Sequence, residues 1–130
     1  MKKRAVYPGT FDPVHYGHLD LMARSTLLFD ELVVAVYDHV RPTKSVLFTV
    51  DERIQMINDA LGPQEGIMVR PFSGLLVNFM REIDARVIIR GLRVFSDFEF
   101  EFRNALANKR LASEIETVSW MAREEHTCLS

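Results

Sequence analysis

Two histidines three residues apart, His15 and His18, stand near the start of the chain, just after a short apolar stretch. The same turn contains Gly9, Thr10 and Gly17, which allow close backbone approach and supply a hydroxyl group. A helix is expected to begin near Gly17 and His18, and the free N–H groups of a first helical turn attract phosphate. Imidazoles at helical spacing can face the same way and add two donors. The stretch therefore predicts a phosphate-binding loop.

Cations elsewhere in the chain fit the same chemistry. Arg90 and Arg93 flank Gly91 at the end of an apolar run, and guanidinium groups match the oxygens of phosphate. On their own, two solvated surface arginines are an equally good interpretation. Lys44 in a polar loop and Glu101 in a helical segment are typical of solvated side chains. The arginines are therefore the stronger candidate phosphate ligands.

Other interpretations of these residues stay open. A histidine pair at helical spacing is more often a helix cap or a packing feature than a catalytic device. Asp12 together with the two histidines could also bind a metal ion, although no further well-spaced ligand follows. No role is assigned to His39, His126 or Cys128 from the residues alone. The joint pattern of strand, Gly-Thr, His-x-Gly-His and helix favours phosphate over these alternatives.

Composition narrows the class of protein. The chain has 130 residues, nearly half of them apolar, which suits one domain spanning 1–130. A formal net charge of −2 gives no reason to expect nucleic acid or an anionic membrane as a partner. No apolar run approaches the roughly 20 residues of a membrane span. One cysteine excludes a disulfide framework, and a cytoplasmic location is expected.

Several catalytic motifs are missing from the sequence. It contains no Gly-x-x-x-x-Gly-Lys-Ser/Thr loop, no Gly-x-Gly-x-x-Gly fingerprint and no nucleophile elbow. The candidate site has cations and hydrogen-bond donors but no evident nucleophile. That combination suits phosphoryl or nucleotidyl transfer between two bound substrates, in which positioning and charge stabilisation do the catalysis.

Short apolar runs alternate with helical segments along the chain, and several lack the polar–apolar alternation of half-exposed strands. The predicted strands are 4–7, 32–37, 67–72, 86–90 and 115–121. Four strand–helix units followed by a fifth strand predict an α/β fold, a parallel sheet with helices on both faces. Ligands of such sheets bind beyond the carboxyl ends of the strands, and the loops named above all lie there.

Three segments between the strands have the caps and periodicity of helices. Thr49 and Glu52 have capping-box spacing at the start of one of them. Ser73 is a candidate cap for the next. Ser96 and Glu99 form another capping box, which favours a helix where "FSDFEFEF" alone would indicate a strand. The expected apolar stripes are Ile54, Ile57 and Leu61 in the first helix and Leu76, Phe79, Met80 and Ile83 in the second.

Five stretches in order, "YPGTFDPVHYGH", "LFTVDER", "FSGLLVNF", "VIIRGLR" and "DFEFE", resemble the bacterial phosphopantetheine adenylyltransferases of the His-x-Gly-His nucleotidyltransferase superfamily. The resemblance covers nearly the whole chain. It implies a single-domain, Rossmann-like five-stranded parallel sheet and a homohexamer. It also implies that ATP, with Mg²⁺, reacts with 4′-phosphopantetheine to give dephospho-coenzyme A and pyrophosphate by direct in-line attack, without a covalent enzyme intermediate.

The resemblance also implies roles for particular residues. His18, Lys44 and Arg90 would be catalytic, through charge stabilisation at the reacting phosphates. The residues expected to bind ATP are Thr10, Phe11 through its backbone, His18, Gly91, Leu92, Arg93, His126, Thr127, Cys128, Leu129 and Ser130. Those expected to bind the acceptor are Thr10, Lys44, Leu76, Arg90, Glu101 and Asn108. No residue is expected to ligate a metal ion directly.

This sequence departs from the family pattern in three places, and these departures leave other functions open. The family usually has Thr or Asn at His15, and "DPVHYGHL" is similar there to nicotinate-nucleotide adenylyltransferases. The family often has Tyr at Phe100, and it continues beyond Ser130 with a serine-rich segment and a C-terminal helix, which this chain is expected to lack. The alternatives are a nicotinate- or nicotinamide-mononucleotide adenylyltransferase, which "FSGLLVNF" and "IIRGLR" disfavour, and an inactive nucleotide-binding module.

Overall fold

The computed structural model describes residues 2–39, 46–92 and 95–121, without the side chains of 95–98. The strands are β1 (Arg4–Gly9), β2 (Glu31–Tyr37), β3 (Ile67–Phe72), β4 (Val87–Leu92) and β5 (Glu116–Met121). The helices are α1 (Tyr16–Ser25), α2 (Val50–Leu61), α3 (Leu76–Glu82) and α4 (Phe95–Leu111). All five predicted strands and the predicted strand–helix alternation are confirmed. None of the described helices is both long and apolar enough to cross a bilayer.

The five strands form one parallel sheet in the order β3-β2-β1-β4-β5. The strands β2 and β3 lie on one side of β1, and β4 and β5 lie on its other side. Connections therefore leave β1 and β4 in opposite directions at their carboxyl ends, which opens a crevice between them. The Rossmann-like parallel α/β fold expected from the sequence is confirmed.

The two faces of the sheet bury separate apolar clusters because successive strand residues point to opposite sides. On one face Tyr7, Val34 and Ile89 pack with Leu21 and Met22 of α1 and with Ile57 of α2. On the other face Val6, Val33 and Ile88 pack with Val77 and Met80 of α3. Helices thus cover both faces of the sheet, as the alternation of strands and helices predicts.

The predicted helix caps have different outcomes. The Thr49 side chain accepts from the Glu52 N–H and the Glu52 carboxylate accepts from the Thr49 N–H, so that capping box is confirmed. Ser73 is not the cap of α3, because the N-cap is Leu75, which makes no side-chain cap bond. The Ser96 side chain lies outside the described residues, and α4 is helical from Phe95 onward. The helical interpretation of this phenylalanine-rich stretch is nevertheless confirmed.

Polar contacts join the amino ends of β1 and β2, at the end of the sheet opposite the crevice. The Arg4 guanidinium donates to Glu31 through Nε and Nη2, at 3.1 and 2.9 Å, and also reaches the Ile83 carbonyl. Lys2 lies 3.3 Å from the same carboxylate. The hydrogen bond from Arg4 lowers the pKa of Glu31 below its ordinary 4.5; burial opposes this to a smaller extent, and the hydrogen bond from Lys2 adds to the lowering. This pair ties β1 to the start of β2.

Candidate active site

The crevice lies where β1 and β4 stop pairing. Their ladder joins Ala5 to Val87 and Val6 to Ile88. β1 then continues to Gly9 and β4 to Leu92, so the carboxyl ends of both strands extend past the last paired residues. The backbone of Gly9 and the side chain of Arg90 border this opening, which places the first loop and the arginine beside each other as predicted.

The two histidines form a reciprocal cap at the start of α1. His15 is the N-cap, and its Nδ1 accepts from the N–H groups of Gly17 and His18 at 3.1 and 3.4 Å. His18 is the third helical residue, and its Nδ1 accepts from the His15 N–H at 3.2 Å. The two rings stack with centroids 3.6 Å apart. Imidazoles thus do here what Ser and Glu do in an ordinary capping box.

This arrangement corrects one part of the sequence prediction. The N–H groups of Gly17 and His18 were expected to face phosphate, but both point to the His15 ring. Because each Nδ1 is an acceptor, the neutral form of each ring carries its proton on Nε2. A donor to an anion here would therefore be a ring Nε2–H group rather than the N–H of Gly17 or His18.

Phe11 contributes its backbone to the loop and its ring to the core. The residue is 3% exposed and has a positive φ of 51°. Its ring contacts those of Tyr7 and His18 edge-on, with centroids 5.2 and 4.8 Å away. A Cβ at Gly9 would lie 3.0 Å from two carbons of the Phe11 ring, so a larger residue there would press against that ring. The packed ring supports the imidazole of His18 from behind.

Arg90 is held by a carboxylate and a carbonyl. Its Nε and Nη2 donate to the two oxygens of Glu101 at 2.7 and 3.1 Å, and its Nη1 donates to the Pro8 carbonyl at 3.0 Å. The Arg90 side chain is 27% exposed and that of Glu101 is 12% exposed. A guanidinium has five N–H groups, so two remain for a ligand. The fixed guanidinium is suited to donating these two N–H groups to phosphate.

Two cavities meet at this ion pair. The first has a volume of about 190 Å³ and lies on the α1 side of the sheet. It is lined by both histidines, Gly91, the Arg90–Glu101 pair, Asp20, Arg24 and Trp120. The second has a volume of about 270 Å³ and lies on the α3 and α4 side. It is lined by Thr10, Leu76, Asn108, Tyr37, Phe72 and the same ion pair.

The predicted site residues thus divide between the two cavities. His18 and Gly91 line the first, Thr10, Leu76 and Asn108 line the second, and Arg90 and Glu101 line both. Leu92 ends β4 and lines neither of them. Lys44, Arg93 and the residues from His126 to Ser130 lie outside the described residues. The sequence and the fold agree that one rim of the sheet carries the polar residues.

Sequence analysis missed three residues beside these cavities. Arg24 donates to Asp20 and to the Met121 carbonyl and lies 5.2 Å from the centre of the Trp120 ring. Both Arg24 and Trp120 line the first cavity. Arg53 is 2% exposed and donates to the Thr10 carbonyl at 2.8 Å. A cation in the first turn of a helix, four residues before the buried Ile57, is the pattern that could have identified Arg53.

A protein-built metal site is not found in the part of the chain that the structure describes, because no three His, Cys, Asp or Glu side chains are grouped suitably. The nearby carboxylates already have partners. Asp12 accepts from the N–H groups of Leu47 and Phe48 at 2.5 and 2.9 Å, and Glu101 is bound to Arg90. The described residues do not fit a resident ion, so the Asp12–histidine alternative has no support in this geometry.

Known proteins resemble this chain in sequence and in fold. The Cytidylyltransferase-like family matches residues 6–129. The phosphopantetheine adenylyltransferase of Heliobacterium modesticaldum is 49% identical over 126 residues, 97% of this chain and 74% of the relative. That of Syntrophus aciditrophicus is 51% identical over 93% of this chain and 72% of the relative. That of Clostridium botulinum strain Hall is 48% identical, covering 98% and 77%. The chain spans about three quarters of these relatives.

Solved structures share the fold at much lower identity. A bifunctional NMN adenylyltransferase/ADP ribose pyrophosphatase of Francisella tularensis, complexed with AMP and a manganese ion, has a TM-score of 0.68 at 15% identity, over 95% of this chain and 38% of that one. A lipopolysaccharide core biosynthesis protein of Thermoplasma volcanium has a TM-score of 0.68 at 21% identity, over 95% and 100%. These similarities establish the architecture.

Proposed function

This chain belongs to the cytidylyltransferase-like family, and we propose that it transfers the adenylyl group of ATP to 4′-phosphopantetheine, giving dephospho-coenzyme A and pyrophosphate. The observation that carries this assignment is the identity of about one half, over nearly the whole chain, to relatives named phosphopantetheine adenylyltransferase. The chain is therefore a nucleotidyltransferase, and its parallel sheet and rim of donors suit that chemistry.

The reaction needs no covalent enzyme intermediate. A phosphate oxygen of the acceptor forms a bond with the α-phosphorus of ATP while the bond from that phosphorus to the bridging oxygen of the β-phosphate breaks. The bridging oxygen leaves with pyrophosphate. The described rim offers donors and cations but no activated serine or cysteine, which supports direct in-line transfer. Catalysis then rests on aligning two anions and stabilising the charge that develops between them.

The two cavities suit the two substrates. We assign ATP to the first, with His18, Gly91 and the Phe11 backbone, and Thr10, which lines the second cavity, would contact both substrates. We assign the acceptor to the second, where Leu76 would face the pantetheine arm. Support comes from their common border at the Arg90–Glu101 pair, since both reacting phosphates must meet at one place. Asn108, on the wall of the second cavity, would contact the same arm.

Each charged or polar group at the border then has a distinct task. The Nε2–H of His18 would donate to an oxygen of the α-phosphate. The two N–H groups of Arg90 that remain after Glu101 and Pro8 are satisfied would bind the acceptor phosphate or the reacting phosphates. Glu101 would hold the guanidinium in place. Such preorganised donors favour the transition state because they need no reorientation during the reaction.

Further groups complete the proposal from outside the described residues. We assign Lys44 to the acceptor phosphate and Arg93 to the phosphates of ATP. The segment from His126 to Ser130 would contribute to the ATP site, together with Leu92. Mg²⁺ is proposed to enter with ATP, bound to its phosphates, since the described residues form no metal cage. Residues 1–130 are proposed to form one nucleotidyltransferase domain.

A homohexamer in the cytoplasm completes the proposed function, as the family resemblance implies. Several large apolar side chains on α4 are exposed, which supports burial against another copy. They are Phe100, Phe102, Leu106 and Leu111. Light scattering of the purified chain should give six times the mass of 15.0 kDa, and the monomer mass would contradict the proposal.

Pyrophosphate release from ATP tests the reaction. The chain is incubated with Mg²⁺, ATP and one acceptor in turn: 4′-phosphopantetheine, nicotinate mononucleotide or nicotinamide mononucleotide. Release with phosphopantetheine alone is expected. Release with a mononucleotide but not with phosphopantetheine would establish the sister activity instead. ATP binding by calorimetry without release for any acceptor would indicate a nucleotide-binding module that lacks catalysis.

A further inference from the structure

Arg53 is an unusual residue for its position in the fold. It belongs to the first turn of α2, where the helix dipole disfavours a cation, and it is 2% exposed. A buried charge normally needs an opposite charge beside it. Among the residues that the structure describes, no ion pair includes Arg53. Arg53 is thus buried without an ion pair to any described residue and lies at the end of the helix where the dipole disfavours a cation. These two costs indicate a role beyond packing.

Its partners are three backbone carbonyls from three different parts of the chain. The Nε–H donates to Phe48 at 3.0 Å, and Nη1 donates to Thr10 at 2.8 Å and to Tyr37 at 3.0 Å. Tyr37 ends β2 and Phe48 lies just before α2, so Arg53 joins both ends of the connection from β2 to α2. Through Thr10, it also joins that connection to the loop after β1.

Asp12 strengthens the same junction from the other side. Its carboxylate accepts from the N–H groups of Leu47 and Phe48, while Arg53 donates to the Phe48 carbonyl. The backbone at Phe48 is therefore held through both its donor and its acceptor. Lys44 stands within the connection whose two ends Arg53 joins, and Thr10 and Tyr37 both line the second cavity.

We propose that Arg53 is a positioning residue for the acceptor. It fixes the ends of the connection that carries Lys44 relative to Thr10, and so sets the geometry of the cavity assigned to phosphopantetheine. Its charge, which forms no ion pair among the described residues, adds a positive potential on the side where the acceptor phosphate binds. This inference rests on the proposed function, because it concerns how one of the two proposed substrates is held.

Steady-state kinetics of pyrophosphate release separate positioning from stability. Arg53→Met keeps most of the aliphatic stem but removes the charge and all three hydrogen bonds. We expect the KM for 4′-phosphopantetheine to rise at least tenfold, while the KM for ATP changes less than threefold. Arg53→Lys keeps the charge without the planar fork and should fall between Arg53→Met and the unaltered chain. It also serves as the test if the methionine variant does not fold.

Arg4→Met is the matched control. It also removes an arginine that bonds to a backbone carbonyl, but at the opposite edge of the sheet. A lower melting temperature with both KM values unchanged is expected for it. A fall in kcat with unchanged KM for phosphopantetheine in both Arg53 variants would overturn this inference but not the proposed function. Absence of release by the unaltered chain with phosphopantetheine would overturn the proposed function and this inference together.

Discussion

Replacing His18 with alanine tests the centre of the proposed mechanism. The imidazole has two separate tasks: Nδ1 accepts the His15 N–H at 3.2 Å, and the neutral ring can donate to a phosphate oxygen through Nε2–H. The first task concerns the helix cap and the second concerns the transition state. A variant of His15 can distinguish the two tasks, because His15 also caps the helix but is not assigned the donor task.

The expected magnitudes differ between the two tasks. Loss of a capping interaction typically costs about 1 kcal/mol of stability, which leaves the protein folded. Loss of one preorganised donor at a developing charge typically lowers turnover by roughly 10²–10³, or about 2.7–4 kcal/mol. His18→Ala should therefore lower kcat by that factor while the melting temperature falls by only a few degrees.

His15→Ala is the control. It removes a side chain that accepts two backbone N–H groups, so its stability loss should equal or exceed that of His18→Ala. Its turnover should fall less than tenfold. The assay is pyrophosphate release at saturating ATP and 4′-phosphopantetheine, with circular dichroism to confirm folding. Near-normal turnover of His18→Ala, or equal losses in both variants, would refute the assignment of the donor role to His18.

Further predictions concern the ion pairs and the cysteine. Glu101→Gln should lower kcat/KM for phosphopantetheine by about tenfold, because a neutral amide holds the Arg90 guanidinium less firmly; unchanged kinetics would show that Arg90 needs no such support. Arg4 lowers the pKa of Glu31, so the stabilisation from this pair is present above pH 4.5 and is lost as pH falls through the lowered pKa. Urea unfolding should show the difference between the unaltered chain and Glu31→Gln shrinking between pH 6 and pH 3, and a constant difference would contradict this. Cys128→Ala should leave turnover within twofold, and a large loss would assign the thiol a role.

Local patterns predicted the fold well where the partners are close in sequence. The capping box of Thr49 and Glu52 spans three residues, and the helical spacing of His15 and His18 brought their rings together as expected. The prediction that Ser73 caps α3 was wrong. Val77 and Met80 pack against the sheet, and this packing sets the start of the helix after Leu75.

Long-range polar contacts could not be predicted from the same patterns. Arg53 bonds to a carbonyl 43 residues away, and Arg90 bonds to one 82 residues away. Such contacts depend on the strand order, which periodicity does not determine. The resemblance to a family predicted that Arg90 and Glu101 belong to one site. Their mutual ion pair and the two cavities it separates emerged only from the fold.

The placement of the cavities on opposite faces of the sheet has a consequence for inhibitor design. Under the proposed assignment each reactant would occupy its own cavity, so both could be bound at the same time. A single compound that spans both chambers must pass the opening beside Gly9 and Arg90. Such a bisubstrate molecule needs a narrow, negatively charged linker between two bulkier ends.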